Sequence, residues 1–406
     1  MGLTKSNISV IDKTSVSIAL TNDTVNGGLV NYVNNFNHYY SSPMTIQEIA
    51  TIGSTAIRSG LIFDTSGNLY WAVCNGGTDT LHNGYTCYIY KITPNGTITT
   101  FASQVANCGC QSSLIFDSSG NLYWSLIYHI QNSSWTDTSY IYKITPAGTK
   151  TTFASATTIG GHGGNMVFDS SGNLYWPISH VSDGTSYNQT SYVYKITPAG
   201  TKTTFASIAT TGSRGCSLAI DTSNNIYWAF TNYTDGTTYN LTHYVYKITP
   251  VGTKTIFASQ LMLTGYTTDL VFDTLGNLYW TLGCTTVANV LYKITPVGTK
   301  NLLASHYVYD TRGSSIIIDG NDNLYWALSN YQTIGNSLAN TNSLLLNIKS
   351  SGEHSILASA ITNGANGSSL IFDTNKNLYW SIANYFNGTT YNLNTSLMVL
   401  TKQAKT

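Results

Sequence analysis

The chain carries three arginines, and all of them fall at matching places in an internal repeat. Aligned seven residues before a recurring Asp stand Ile57, Cys110, His162, Arg214, Tyr266, Arg312 and Asn366, and Arg58 follows one place later in the first repeat. A guanidinium presents paired N–H donors that match planar oxyanions. Brought together, Arg58, His162, Arg214, Tyr266 and Arg312 would hold a carboxylate, sulfate or phosphate group. The competing role for each Arg is to bond free carbonyls where inner strands begin. His82, His129, His162, His180 and His306 map to the same side of the repeat. A metal site would need them beside convergent carboxylates. Asp79, Asp183, Asp235, Asp269 and Asp310 are the nearest candidates, and no spacing compels any of them. No Gly-x-Ser-x-Gly, Walker or His-Glu-x-x-His pattern is present, so neither a catalytic residue nor a cofactor is expected.

The element that must position these residues is the repeat itself. Asn-(Leu/Ile)-Tyr-Trp occurs seven times, ending at Trp71, Trp124, Trp176, Trp228, Trp280, Trp326 and Trp380, with spacings of 46 to 54 residues. Four residues before each Asn stands Asp64, Asp117, Asp169, Asp221, Asp273, Asp319 or Asp373. Between Ser217 and Ser259 one unit reads as four short strands of period two, rich in β-branched and aromatic residues and separated by Asn-, Pro- and Gly-bearing turns. Four antiparallel strands per unit describe a β-propeller blade. The last unit lacks a fourth strand, and residues 44–51 supply a strand without a unit. The expected fold is therefore all-β: a closed seven-bladed propeller over 43–406, its seventh blade completed by 44–51, with residues 1–42 as an extended arm.

The seven Asp residues resemble a carboxylate ring, but an Asp entering a turn usually accepts local backbone N–H bonds. The recurring Trp suits packing between blades. The lysines of Tyr-Lys-Ile-Thr-Pro read as surface side chains whose stems lie on the sheet.

Phe-Asp-Ser-Ser-Gly-Asn-Leu-Tyr-Trp (168–176) and Tyr-Lys-Ile-Thr-Pro-Ala-Gly-Thr (194–201) resemble NHL-type propellers and, more loosely, virginiamycin B lyase-like ones. A lyase of that kind implies a His base and a Glu-assisted metal. Glu occurs only as Glu48 and Glu353, both expected on or beside outer strands, away from the channel mouth. A metal-dependent lyase or hydrolase is thus the second expectation. The first is a non-enzymatic recognition propeller that binds a glycan or other anionic ligand.

Composition bounds the setting. The formal net charge is zero and only 9% of the 406 residues are charged, so nucleic acid is excluded as a partner. No apolar run is long enough to span a bilayer. Met1 to Val30 contain no continuous apolar segment of signal-peptide type. A Tyr-, Thr- and Asn-rich, charge-poor surface resembles that of proteins of thermoacidophilic archaea and the coats of their viruses. Display on a virion or in the extracellular space is the corresponding expectation, with residues 1–42 either folding back onto the propeller or docking on a like or unlike subunit by strand addition. Cys74 and Cys87 flank one loop and are expected to form a disulfide, with Cys108 or Cys110 as alternative partners. Sequons at Asn132, Asn188, Asn232, Asn240 and Asn387 are the glycosylation candidates.

Overall fold

A computed structural model describes residues 44–53, 59–75, 85–106, 111–127, 136–159, 161–180, 189–210, 213–233, 241–262, 265–283, 288–308, 311–330, 342–361, 368–385 and 394–402. These form seven antiparallel sheets, each built on four strand positions, in sequence order from an inner to an outer edge in six of them. Blade four shows the pattern: Ser213–Ile220, Ile226–Tyr233, Leu241–Ile248 and Lys254–Met262. The first strands touch their counterparts on either side, and blade one touches blade seven, so the ring closes.

The clasp lies in blade seven. Its outermost strand is Met44–Gly53, hydrogen-bonded along Asn394–Lys402 from Met44↔Lys402 to Gly53↔Asn394. This strand runs two residues beyond the expected 44–51. Glu48 sits at its bulge, buried, and accepts hydrogen bonds from Ser396 Oγ at 2.7 Å and from Thr51 Oγ1. It therefore lies on an outer strand, and Glu353 pairs with Lys349 at 2.7 Å in the turn before blade six's outer strand.

The apolar core is seven clusters, one in each seam between neighbouring blades. In the first seam Tyr70, Ala72 and Ile89 of blade one meet Leu122, Trp124 and Ile144 of blade two; in the last, Ala50, Ile52 and Leu397 meet Leu61, Trp71 and Ile92. Each repeat Trp is at most 1% exposed. Burying an aromatic side chain of this size contributes on the order of 2–3 kcal/mol. In the closing seam Trp71 Nε1 also donates to Ser381 Oγ at 3.1 Å, whereas the indole N–H groups of Trp176, Trp228, Trp280, Trp326 and Trp380 have no partner among the described residues.

The repeat Asp is a turn residue. In blade three Asp169 Oδ1 accepts the amides of Ser171 and Asn173, and Oδ2 accepts from Asn173 Nδ2 and Tyr175 Oη. Burial pushes the carboxyls of Asp64, Asp117, Asp169 and Asp319 up, but these hydrogen bonds outweigh it and leave them below the usual range. The turn needs a positive φ three residues after the Asp, met by Gly172 at +78° and by Asn224, Asp322 and Lys376 in blades four, six and seven. Several of these Tyr residues pack edge-on against Phe rings, as Tyr70 does against Phe101 of its own blade at 5.0 Å and, across the seam, Phe116 of blade two at 5.3 Å. The Tyr-Lys-Ile-Thr lysines lie over these rings, Lys91 at 5.5 Å from Tyr70, so they cover aromatic faces as well as sheet.

Blade three departs from the pattern. Its first strand is split into Gly161–Gly163 and Val167–Phe168. Between the halves, Gly164 lies so close to blade four that a Cβ would stand 2.0 Å from the Cys216 carbonyl oxygen. Gly164→Ala must push two inner strands apart. The expected cost is about 1–3 kcal/mol, read as a lower denaturation midpoint; an unchanged midpoint would show that the strands do not meet there.

Candidate channel-mouth site

Propeller topology places the start of every first strand beside the end of every second strand, on one side of the ring. Of the expected ligand-binding residues, His162, Arg214, Tyr266 and Arg312 have their backbones there, in blades three, four, five and six in succession. His162 is paired with Ser179, Arg214 with Thr231 and Tyr266 with Gly283, and Arg312 lies at a bulge between Thr311 and Gly313. Their side chains, and Arg58 altogether, lie outside the described residues. So do the glycosylation candidates Asn132, Asn188, Asn240 and Asn387. Asn232 belongs to a strand rather than a loop, half-buried and paired with Ser213 and Thr242.

Three residues deeper along the same strands stands a second polar layer, of which the sequence reading singled out only Asp269, as a candidate metal carboxylate. It comprises Asn165, Ser217, Asp269 and Ser315, with Ser113 beside it in blade two. Ser113 Oγ accepts the Met166 amide at 3.3 Å. Asn165 leaves its own sheet, which explains the split strand: its amide group exchanges two 2.7 Å bonds with Leu218 N–H and C=O, and its Oδ1 accepts from Ser217 Oγ at 2.9 Å. Asp269 does the same work on the other side of blade four. Its Oδ1 accepts from Leu270 N at 2.9 Å and shares the Ser217 hydroxyl proton with Asn165, at 3.2 Å; its Oδ2 accepts from Ile316 N at 3.2 Å, and Ser315 adds a side-chain bond. One carboxylate thus ties blades four, five and six. Burial in the channel wall raises Asp269 to about 6, although those four donors oppose the shift. Aligning the residue four before each repeat Asp gives Gly60, Ser113, Asn165, Ser217, Asp269, Ser315 and Ser369, so the signal was two larger polar residues in a row of small ones.

A third polar position lies nearby. His243 is fully buried in the third strand of blade four, level with Arg214 and Thr231 in the sheet register. Its Nδ1 is 2.9 Å from Thr231 Oγ1, and its Nε2 has no partner among the described residues. Burial lowers it to about 4. The same pair of register positions in blade one is Cys74 opposite Cys87. His306 is also not in a loop: it ends the outer strand of blade five, buried.

This side therefore carries two Arg-bearing strand starts above a layer of side chains bonded from blade to blade. Among the described residues no three His, Cys, Asp or Glu side chains converge to hold a metal ion, and no helix is long and apolar enough to cross a membrane.

No protein-family model and no curated protein sequence matches the chain. Its likeness is to solved structures. A polysaccharide lyase, an ulvan lyase bound to -[GlcA(1-4)Rha3S]-, superimposes with a TM-score of 0.56 at 8% identity, over 82% of this chain and 90% of that one. A fungal alcohol oxidase of the AA5 family in complex with copper gives 0.56 at 12% identity, over 87% and 75% of the two chains. A Dyadobacter fermentans protein of unknown function gives 0.51 at 10%, over 88% and 99%. None of these three is described as NHL-type or virginiamycin B lyase-like, so what is established is the coarser statement: a seven-bladed β-propeller.

The two shifted groups give opposite pH dependences. Asp269 has a folded pKa near 6 against 3.8 unperturbed, so its contribution is complete below about pH 4 and lost as pH rises through 6. His243 has a folded value near 4 against 6.5, so its contribution is complete above pH 6.5 and lost as pH falls through 4. Denaturant unfolding between pH 4 and 7 should show Asp269→Asn gaining stability relative to wild type as pH rises, and His243→Gln gaining it as pH falls. Curves that stay parallel at every pH would mean neither group titrates where stated.

Proposed function

We propose that this protein is a recognition propeller that binds an anionic glycan at the channel mouth beside blades three to six. The observation that carries the reading is the succession His162, Arg214, Tyr266 and Arg312 at the starts of four neighbouring inner strands, above the bonded layer holding Asp269. Clustered guanidiniums favour sulfate and uronate groups, while an aromatic ring among them suits the apolar face of a sugar. A glycan carrying both anions is what the ulvan lyase propeller binds, by its own description. Display on a virion or cell exterior, with residues 1–42 engaging a neighbouring subunit, accords with a surface that holds few ion pairs to be broken by acid. The NHL-type character of the repeat rests on the Asp-Ser-Ser-Gly-Asn-Leu-Tyr-Trp motif.

A second reading is an enzyme, a lyase or hydrolase acting on such a glycan, because one propeller of like fold is a polysaccharide lyase by its own description. Depolymerisation of a uronate-containing polysaccharide by wild type, lost in Asp269→Asn, would replace recognition with catalysis.

We propose also that Cys74 and Cys87 form a disulfide. They are directly opposite in an antiparallel pair, where Cα atoms stand about 4.5–5.5 Å apart, within disulfide range. Among the described residues Cys216 is a buried free thiol.

On an array of sulfated and uronate glycans, Arg214→Ala and Arg312→Ala should each weaken binding at least about tenfold, the worth of one charge-assisted contact. Equal binding by wild type and the double variant would remove the mouth as the site. Peptide mapping without reductant should yield a cross-linked pair containing Cys74 and Cys87; a link from Cys87 to Cys108 or Cys110 would reassign it.

A further inference from the structure

Neighbouring outer strands are stitched by a repeated lysine. Lys150 Nζ donates to Ser103 O at 2.5 Å and Gln104 Oε1 at 2.8 Å, and Lys300 donates to Ser259 O at 2.5 Å and Gln260 Oε1 at 2.7 Å. Lys202 and Lys254 reach the equivalent carbonyls of Ser155 and Ser207. The seam between blades five and six changes both partners. His354 opens its outer strand at the register position of Lys300, and His306 stands at that of Gln260. Two positions 48 residues apart have thus exchanged a cation and an amide for two imidazoles.

We propose that this seam binds a divalent d-block cation, with His306 and His354 as its protein ligands and water completing the shell. The rings lie edge to face, 89° apart, with centroids separated by 5.9 Å. With metal–nitrogen bonds of about 2.1 Å, one cation spans imidazoles whose centres are about 6 Å apart. His354 Nδ1 lies 3.3 Å from the Gly352 carbonyl, which only accepts, so the proton sits on Nδ1 and the Nε2 lone pair is left for a metal. A backbone carbonyl holding one ring nitrogen is the usual support of a ligating imidazole. Nitrogen donors select Cu2+, Ni2+ and Zn2+ over Mg2+ or Ca2+. Glu353, the nearest carboxylate in sequence, is held by Lys349 and adds no ligand. The bound ion would join two blades where the lysine stitch is missing. The site stands on the outer rim and is independent of the mouth.

The test uses the full chain, stripped with EDTA and then titrated with Cu2+, Ni2+ or Zn2+. Wild type should gain about 2 °C or more in melting temperature at saturation, because an ion that binds only the folded state stabilises it. The double variant His306→Gln with His354→Lys rebuilds the Gln260–Lys300 stitch, so its metal-free melting temperature should match wild type while the metal response disappears. An equal response in both proteins, or none in wild type, overturns the proposal. Should the double variant fold poorly, Cu2+ electron paramagnetic resonance of wild type and His354→Gln decides: loss of one coupled nitrogen supports the site, and an unchanged spectrum overturns it.

Discussion

The structure depends on burying one indole in every seam. A single blade is a four-stranded sheet with two apolar faces, and neither face is covered until the next blade arrives. The tryptophans fill that gap at nearly zero exposure, and around each of them the seam cluster draws members from both blades. Seven repetitions of one wedge return the chain to its starting point. No sheet is left with an uncovered apolar face.

Surface chemistry follows from the same economy of charge. With 18 basic and 18 acidic residues in 406, ionic groups are used at fixed places. Asp closes the turn between the first two strands, one Lys covers the Tyr that bonds this Asp, and another stitches adjacent outer strands. Each is worth little alone, since a half-exposed ion pair such as Lys143–Asp117 at 3.9 Å is weak in water. Repetition makes them count, and a blade that abandons the rule, as blade six does at His354, stands out.

The ring, its strand order and the turn role of the Asp residues were legible because each follows from spacing or local period. Asp169 bonds residues two, four and six places away, all within the motif itself. The deeper channel layer was not legible in that way. Asn165 and Asp269 bond residues 53 and 47 places on, in other blades, so nothing near them in sequence announces a partner. His243 was hidden for a related reason: a strand position that faces a neighbouring blade and one that faces solvent share the same alternation. The mouth residues were found by aligning repeats, and that comparison, moved three residues along, also finds Asp269.

The clasp has a consequence for how the molecule is made. Met44 and Lys402 are bonded neighbours, yet nearly the whole chain lies between them. During synthesis each new blade can cover the face of the one before it, so six seams form progressively behind the ribosome. The seventh cannot, because blade seven joins Met44–Gly53 to strands more than 300 residues further along the chain. The strand Met44–Gly53 gains its ladder only once Asn394–Lys402 has been made, so closing the ring is a loop closure of very high contact order.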